Sequence, residues 1–115
     1  MPLPSLKQAF VIEALSEQFK AQVDRRIIRV VGSSFGQGIR RDPLHYRIPD
    51  LAVFNMEDLR ADHYAWSTPE LIVECLSPSN QKDSVENLLQ DYALICVPEV
   101  WFINVDAKID RKSVV

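Results

Sequence analysis

Glycine is scarce in this chain. Three occur in 115 residues, and all fall between Gly32 and Gly38. With a moderate seven prolines beside them, nothing marks a low-complexity or disordered chain. Cysteine is scarcer still, at Cys75 and Cys96. Neither stands with histidine at zinc spacing. With no secretory leader in view, the two read as reduced core thiols and not as a disulfide. No apolar run approaches the length of a membrane span, and the opening MPLPSLKQ carries no secretion-type segment. The expectation is a cytoplasmic protein with no membrane partner. Charge of one sign is also lacking. The net charge is −3, which argues against retention on nucleic acid by bulk charge. Local strips remain at Arg25, Arg26 and Arg29 and at Arg40, Arg41 and Arg47. Both read as solvated strand and turn faces.

What is present is an ordinary globular composition, 47% apolar and 25% charged. The length suits one domain over residues 1–115. Ser5 followed by Gln8 resembles a capping box. Val11, Leu15 and Phe19, with Ala14 beside them, make an apolar stripe on a helix over residues 6–24. RIIRVV, residues 26–31, reads as a strand. The glycine cluster after it reads as a turn, with two glycines at positive φ. It is not a phosphate loop, because no Lys-Ser/Thr pair follows.

Residues 50–54 and 70–76 read as two further strands, separated by an irregular crossover. Asp83 with Glu86 would cap a second helix whose apolar face is Val85, Leu88, Leu89 and Tyr92. Residues 99–105 form a buried strand, residues 106–110 turn, and residues 111–115 begin a last strand. The expected order is helix, four strands, helix, two strands. A strand-helix-strand unit implies a parallel pair. The fold class is α/β, bordering on α+β, with a mixed β-sheet flanked by helices.

Two acids stand inside these apolar strands, Asp50 and Glu74. If their strands are neighbours, the carboxylates meet at one end of the sheet. One must then be neutral unless a cation sits between them. Oxygen ligands of this kind suit Mg2+ or Mn2+, and the carbonyl of Cys75 would supply a third. Such a metal polarises a phosphate and activates water. The plainer alternative keeps both acids structural, with Asp50 capping a turn after Pro49 and Glu74 paired with an arginine.

The flanking residues add a resemblance. RIPDLAVF, PELIVECLSPSN and LLQDYALICVPEVWFINV together resemble the Uma-type family of "putative restriction endonucleases", within the PD-(D/E)XK nuclease superfamily. The likeness runs from Arg47 to Asp106 and more loosely back through the first helix. It implies a restriction-endonuclease-like core, a divalent metal, and hydrolysis of DNA phosphodiesters, although most members of the family are uncharacterised. Asp50 and Glu74 match the family's acids and would ligate the metal. Ser77, Pro78 and Ser79 match the loop after the strand.

The chain departs from the pattern in three ways. The family's lysine, which holds the attacking water and stabilises developing charge, is absent. Leu76 fills its strand position and Leu88 its helix position, leaving Lys82 as the nearby substitute for the catalytic role. Asn87 and Gln90 could orient a water but carry no charge. Cys96 stands where the family has a helix-ending glycine. The chain is also short at both ends relative to the family, as a truncated member would be, and a homodimer would cover the sheet edge this exposes. The expectation is therefore a metal-dependent DNA endonuclease. Its alternative is a degenerate relative acting as a non-enzymatic DNA- or protein-interaction module.

Overall fold

The computed structural model describes residues 5–76, 81–104 and 109–113, with 81–84 and 109–113 described as backbone. Helix α1, Leu6–Gln22, begins at the expected capping box: Ser5 accepts from the Gln8 N–H, and the Gln8 side chain accepts from the Ser5 N–H. Strands β1 (Ile28–Gly32), β2 (Gln37–Arg40), β3 (His45–Arg47), β4 (Leu51–Asn55) and β5 (Leu71–Cys75) follow, with a short 3-10 turn at Met56–Asp58. Helix α2, Gln81–Leu94, leads into β6 (Glu99–Ile103) and β7 (Ile109–Ser113). Among the described residues no helix is long and apolar enough to cross a membrane.

Five strands form one sheet in the order β1-β4-β5-β6-β7. Among the described strands of this sheet only β5 and β6 pair in parallel, joined through α2 as the strand-helix-strand spacing requires. β7 pairs along the whole of β6, so the sheet ends at β1 and β7. The last strand starts two residues earlier than expected, and residues 105–108 lie outside the described part.

Strand alternation sorts the core into two layers. Leu51, Val73, Trp101 and Ile103 face α1 and meet Val11, Ile12, Leu15 and Phe19. Ala52, Phe54, Ile72, Val100 and Phe102 face α2 and meet Val85, Leu88, Leu89 and Tyr92. The expected stripe on α1 holds except at Ala14, which is exposed; Ile12 takes its place. The α2 face is as expected. Its start at Gln81 places Asp83 inside the first turn, not ahead of it, and the Lys82 and Asp83 side chains lie outside the described residues. Ser77, Pro78 and Ser79 lie outside them as well.

The second, two-stranded sheet, β2 with β3, was missed by periodicity. It occupies the segment read as a glycine turn and a solvated strip. The glycines there do not adopt positive φ, contrary to expectation. Two of them serve close approach. A Cβ on Gly36 would meet the Tyr64 ring at 2.7 Å, and a Cβ on Gly38 would collide with the Trp66 ring. The hairpin can therefore lie flat against the aromatic loop that precedes β5.

Left-handed backbone appears instead at Cys96, with φ 62°. The Val97 N–H bonds the Tyr92 carbonyl and the Cys96 N–H bonds the Ala93 carbonyl, each at 3.0 Å. These two bonds make a Schellman close for α2. They also leave Cys96 exposed, so it is not a core thiol; Cys75 is partly buried, and both are free. A Cβ in this conformation costs about 1 kcal/mol or slightly more. Cys96→Gly is therefore expected to raise stability by about 1 kcal/mol, offset in part by the greater freedom of glycine in the unfolded chain. A shifted urea midpoint at unchanged m-value would show this; a lower midpoint would contradict it.

Candidate active site

Leu51 lies opposite Val73 and Ala52 opposite Ile72 in the antiparallel β4–β5 ladder. Continued by one residue, that register sets Asp50, just ahead of β4, across from Glu74 within β5. Residues directly opposite share a face. The bonds follow from this. The Asp50 N–H donates to Glu74 Oε1 at 3.2 Å, and the Cys75 N–H donates to Asp50 Oδ2 at 2.6 Å. The Tyr92 hydroxyl, reaching down from α2, donates to Glu74 Oε2 at 2.7 Å. The two carboxyl groups also lie within hydrogen-bonding range of one another.

Both acids are thus closer to each other than the plainer reading required. Glu74 pairs with Tyr92 and Asp50, not with an arginine. It is 7% exposed. Burial first, and the Asp50 charge second, push its carboxyl up to about 8, against the pull of the Tyr92 bond. Burial also raises Asp50, countered by the Cys75 N–H. The pair shares one proton near neutrality, and the more buried Glu74 carries it. Burial and the Glu74 charge raise the Tyr92 phenol far above its ordinary range, so it remains a donor.

Cys75 packs its side chain on the α1 layer. Burial, then Asp50 and Glu74, push its thiol up to about 12, and its packing turns the sulfur away from the face on which Glu74 meets Tyr92. Its main chain is better placed. In extended backbone the N–H and C=O of one residue leave the strand on the same side, and this N–H already bonds Asp50. Among the described residues no third His, Cys, Asp or Glu joins the pair. Leu76 and Leu88 pack against the α2-side core, so neither lysine position of the resemblance presents a polar group. A cleft of about 450 Å³ opens beside Asp50, walled by α1 through Gln8, Glu13, Glu17 and Lys20 and by Ser33 after β1. Gln8 ties α1 to this end of the sheet by donating to the Leu76 carbonyl at 3.0 Å.

Two features escaped the sequence. Tyr92 read as a core residue, since apolar spacing does not register a hydroxyl partner. Arg47 read as solvated, but its Nε–H donates to Asp91 Oδ2 at 2.6 Å, and His45 Nε2 meets the same oxygen at 2.7 Å. Burial alone would raise Asp91, but the bonds from His45 and Arg47 prevail and hold its carboxyl below the usual range.

A mixed sheet between two helices, with two acids meeting across its central strands, defines a restriction-endonuclease-like α+β fold. The comparisons agree. Residues 1–109 match the Uma2 family, described as "Putative restriction endonuclease", and the chain belongs to that family. Its fold is similar to the crystal structure of a putative nuclease belonging to DUF820 from Anabaena variabilis ATCC 29413, with a TM-score of 0.76 at 16% identity. The match covers 97% of this chain and 70% of that one. Among curated proteins, none matches.

The shared proton has a consequence for stability. In the folded chain Glu74 keeps its proton up to about pH 8, against 4.5 for an ordinary glutamate. Between those values the folded state binds more protons than the unfolded one, so stability falls as pH rises through the window. Metal-free wild type is expected to lose stability from about pH 5 to pH 8. Glu74→Gln, which cannot ionise, should stay nearly flat across the same range. Parallel slopes in urea titrations of the two proteins would contradict the assignment.

Proposed function

We propose that this chain is a metal-dependent endonuclease that hydrolyses DNA phosphodiester bonds, with Asp50, Glu74 and the Cys75 carbonyl holding Mg2+ or Mn2+. The observation that carries this reading is the Asp50–Glu74 pair, two carboxyls in hydrogen-bond range with one buried and forced to keep a proton. A divalent cation suits such a donor set. The ligands are hard oxygens, and the cation would offset the burial and the Asp50 charge that now hold the Glu74 proton in place. When bound, the ion supplies Lewis-acid polarisation of a phosphate oxygen and a more acidic water.

The protein's own groups prepare this. The Cys75 N–H fixes the Asp50 carboxylate, and the Tyr92 hydroxyl with the Asp50 N–H fixes the two oxygens of Glu74. The ladder beneath them is fully buried at Leu51, Ala52, Ile72 and Val73, so the carboxyls are held with little rotational freedom. Lys82, in the first turn of α2, is the lysine offered for the charge-stabilising role.

A second reading is favoured by Leu76 and Leu88, which pack on the core where the family's lysine would stand. It makes the chain a non-catalytic relative that keeps the fold as an interaction module. On the nuclease reading, loss of one such electrostatic contact costs ~10²–10³ in rate, so the cleavage expected is weak. Calorimetric titration with magnesium and manganese is expected to show binding by wild type and none by Asp50→Ala. Nicking of supercoiled plasmid should follow the same division. Wild type that binds metal without nicking points to the non-catalytic relative, and wild type that does neither refutes the nuclease reading.

A further inference from the structure

Among the described residues, the nuclease reading leaves one charge without a counterpart. A phosphodiester approaching Asp50 and Glu74 brings a negative charge to two acids, and Leu76 and Leu88 occupy the positions from which a lysine would meet it. The α1 wall of the cleft offers little help, since Glu13 and Glu17 outnumber Lys20 there. On the α2 side stands Arg47, the last residue of β3 and three residues ahead of Asp50. A chain of three residues spans at most about 10 Å.

We propose that Arg47 is a substrate-binding residue that holds a DNA backbone phosphate beside Asp50 and Glu74 through its terminal amino groups, with Asp91 and His45 fixing its guanidinium. The inference rests on the nuclease reading for its substrate. Four observations carry it. Arg47 uses Nε–H toward Asp91 Oδ2, and it makes no other bond among the described residues. Four of its five N–H donors are therefore available, in the planar fork that matches a phosphate. Its side chain is 33% exposed, so the guanidinium is neither sealed in the core nor loose in solvent. Asp91 Oδ2 is shared by two partners, Arg47 at 2.6 Å and His45 at 2.7 Å, and both come from the same short strand. Finally, Asp91 is followed on α2 by Tyr92, whose hydroxyl touches Glu74.

The Arg47 charge is felt at the Tyr92 hydroxyl, the group that donates to Glu74, where it opposes the effect of burial. Asp91 sets the orientation of the fork and does not occupy its outer edge. An arginine so restrained loses less freedom on binding a phosphate than a solvated lysine would.

An ion pair that merely pins the hairpin to α2 would show the same bonds, so the test must read something it would not move. The measurement is affinity for a short DNA duplex as a function of salt, with calcium replacing magnesium to hold hydrolysis off. Each phosphate contact contributes close to one unit of slope in a plot of log affinity against log salt. Arg47→Gln is expected to lower that slope by about one, while Arg29→Gln, an exposed arginine on β1, leaves it unchanged. Equal slopes for Arg47→Gln and wild type overturn the proposal, and so do equal drops in both variants. If Arg47→Gln fails to fold, Arg47→Lys decides. It should keep the slope but bind several-fold more weakly, because an ammonium cannot fork a phosphate; unchanged affinity overturns the proposal. Calcium titration of the same proteins separates the two readings. Wild type without a metal site but with the slope difference removes the nuclease reading and leaves the phosphate contact. A metal site with coincident slopes does the reverse.

Discussion

Two carboxyl groups held across one rung of an antiparallel ladder repel each other, and this site is built around that repulsion. The rung is set by the register of β4 on β5, in which Leu51 meets Val73 and Ala52 meets Ile72. A slip of one residue would send Asp50 to the opposite face and bury a different set of side chains. The fully buried residues of both strands make such a slip costly, because each would surrender its core contacts. Fold stability and site geometry therefore depend on the same pairing. The core fixes the register, and the register imposes an electrostatic strain that the site retains.

Among the described residues, the strain is managed by donors and not by a cation. The Cys75 N–H, the Asp50 N–H and the Tyr92 hydroxyl each serve a carboxyl oxygen. They do not overcome the desolvation of Glu74, which is why a proton remains. A buried acid that keeps its proton near neutrality lowers stability as pH rises, a cost of the kind found where function and folding compete. A divalent ion would convert that cost into binding energy, since it replaces the proton and satisfies both acids together.

The parts of this arrangement that were legible in the sequence are those with short-range or periodic signatures. The capping box of α1 and the apolar faces of both helices follow from spacing. Asp50 and Glu74 stood out because charged residues inside apolar strands demand a reason. The positive φ at Cys96 was foreshadowed by a family position that favours glycine. The β2–β3 hairpin was hidden because its strands are four and three residues long and its glycines suggested a turn. Those glycines instead make room for Tyr64 and Trp66, a contact between segments nearly thirty residues apart. The links from Arg47 and His45 to Asp91 cross more than forty residues, and no local pattern announces such a pair. Long-range polar contacts are decided by the packed fold.

The central claim is that Asp50 and Glu74 share a proton that a divalent cation displaces. Its most direct test is the titration of the Glu74 side-chain carboxyl carbon by NMR, with Glu74→Gln to assign the resonance. In metal-free protein that carbon is expected to titrate near pH 8. With magnesium or manganese's diamagnetic stand-in calcium added, the transition should move down by more than one pH unit, because one ion favours the charged form of both acids. A Glu74 carboxyl that titrates in the ordinary carboxylate range without metal, or one that ignores the added cation, would contradict the account.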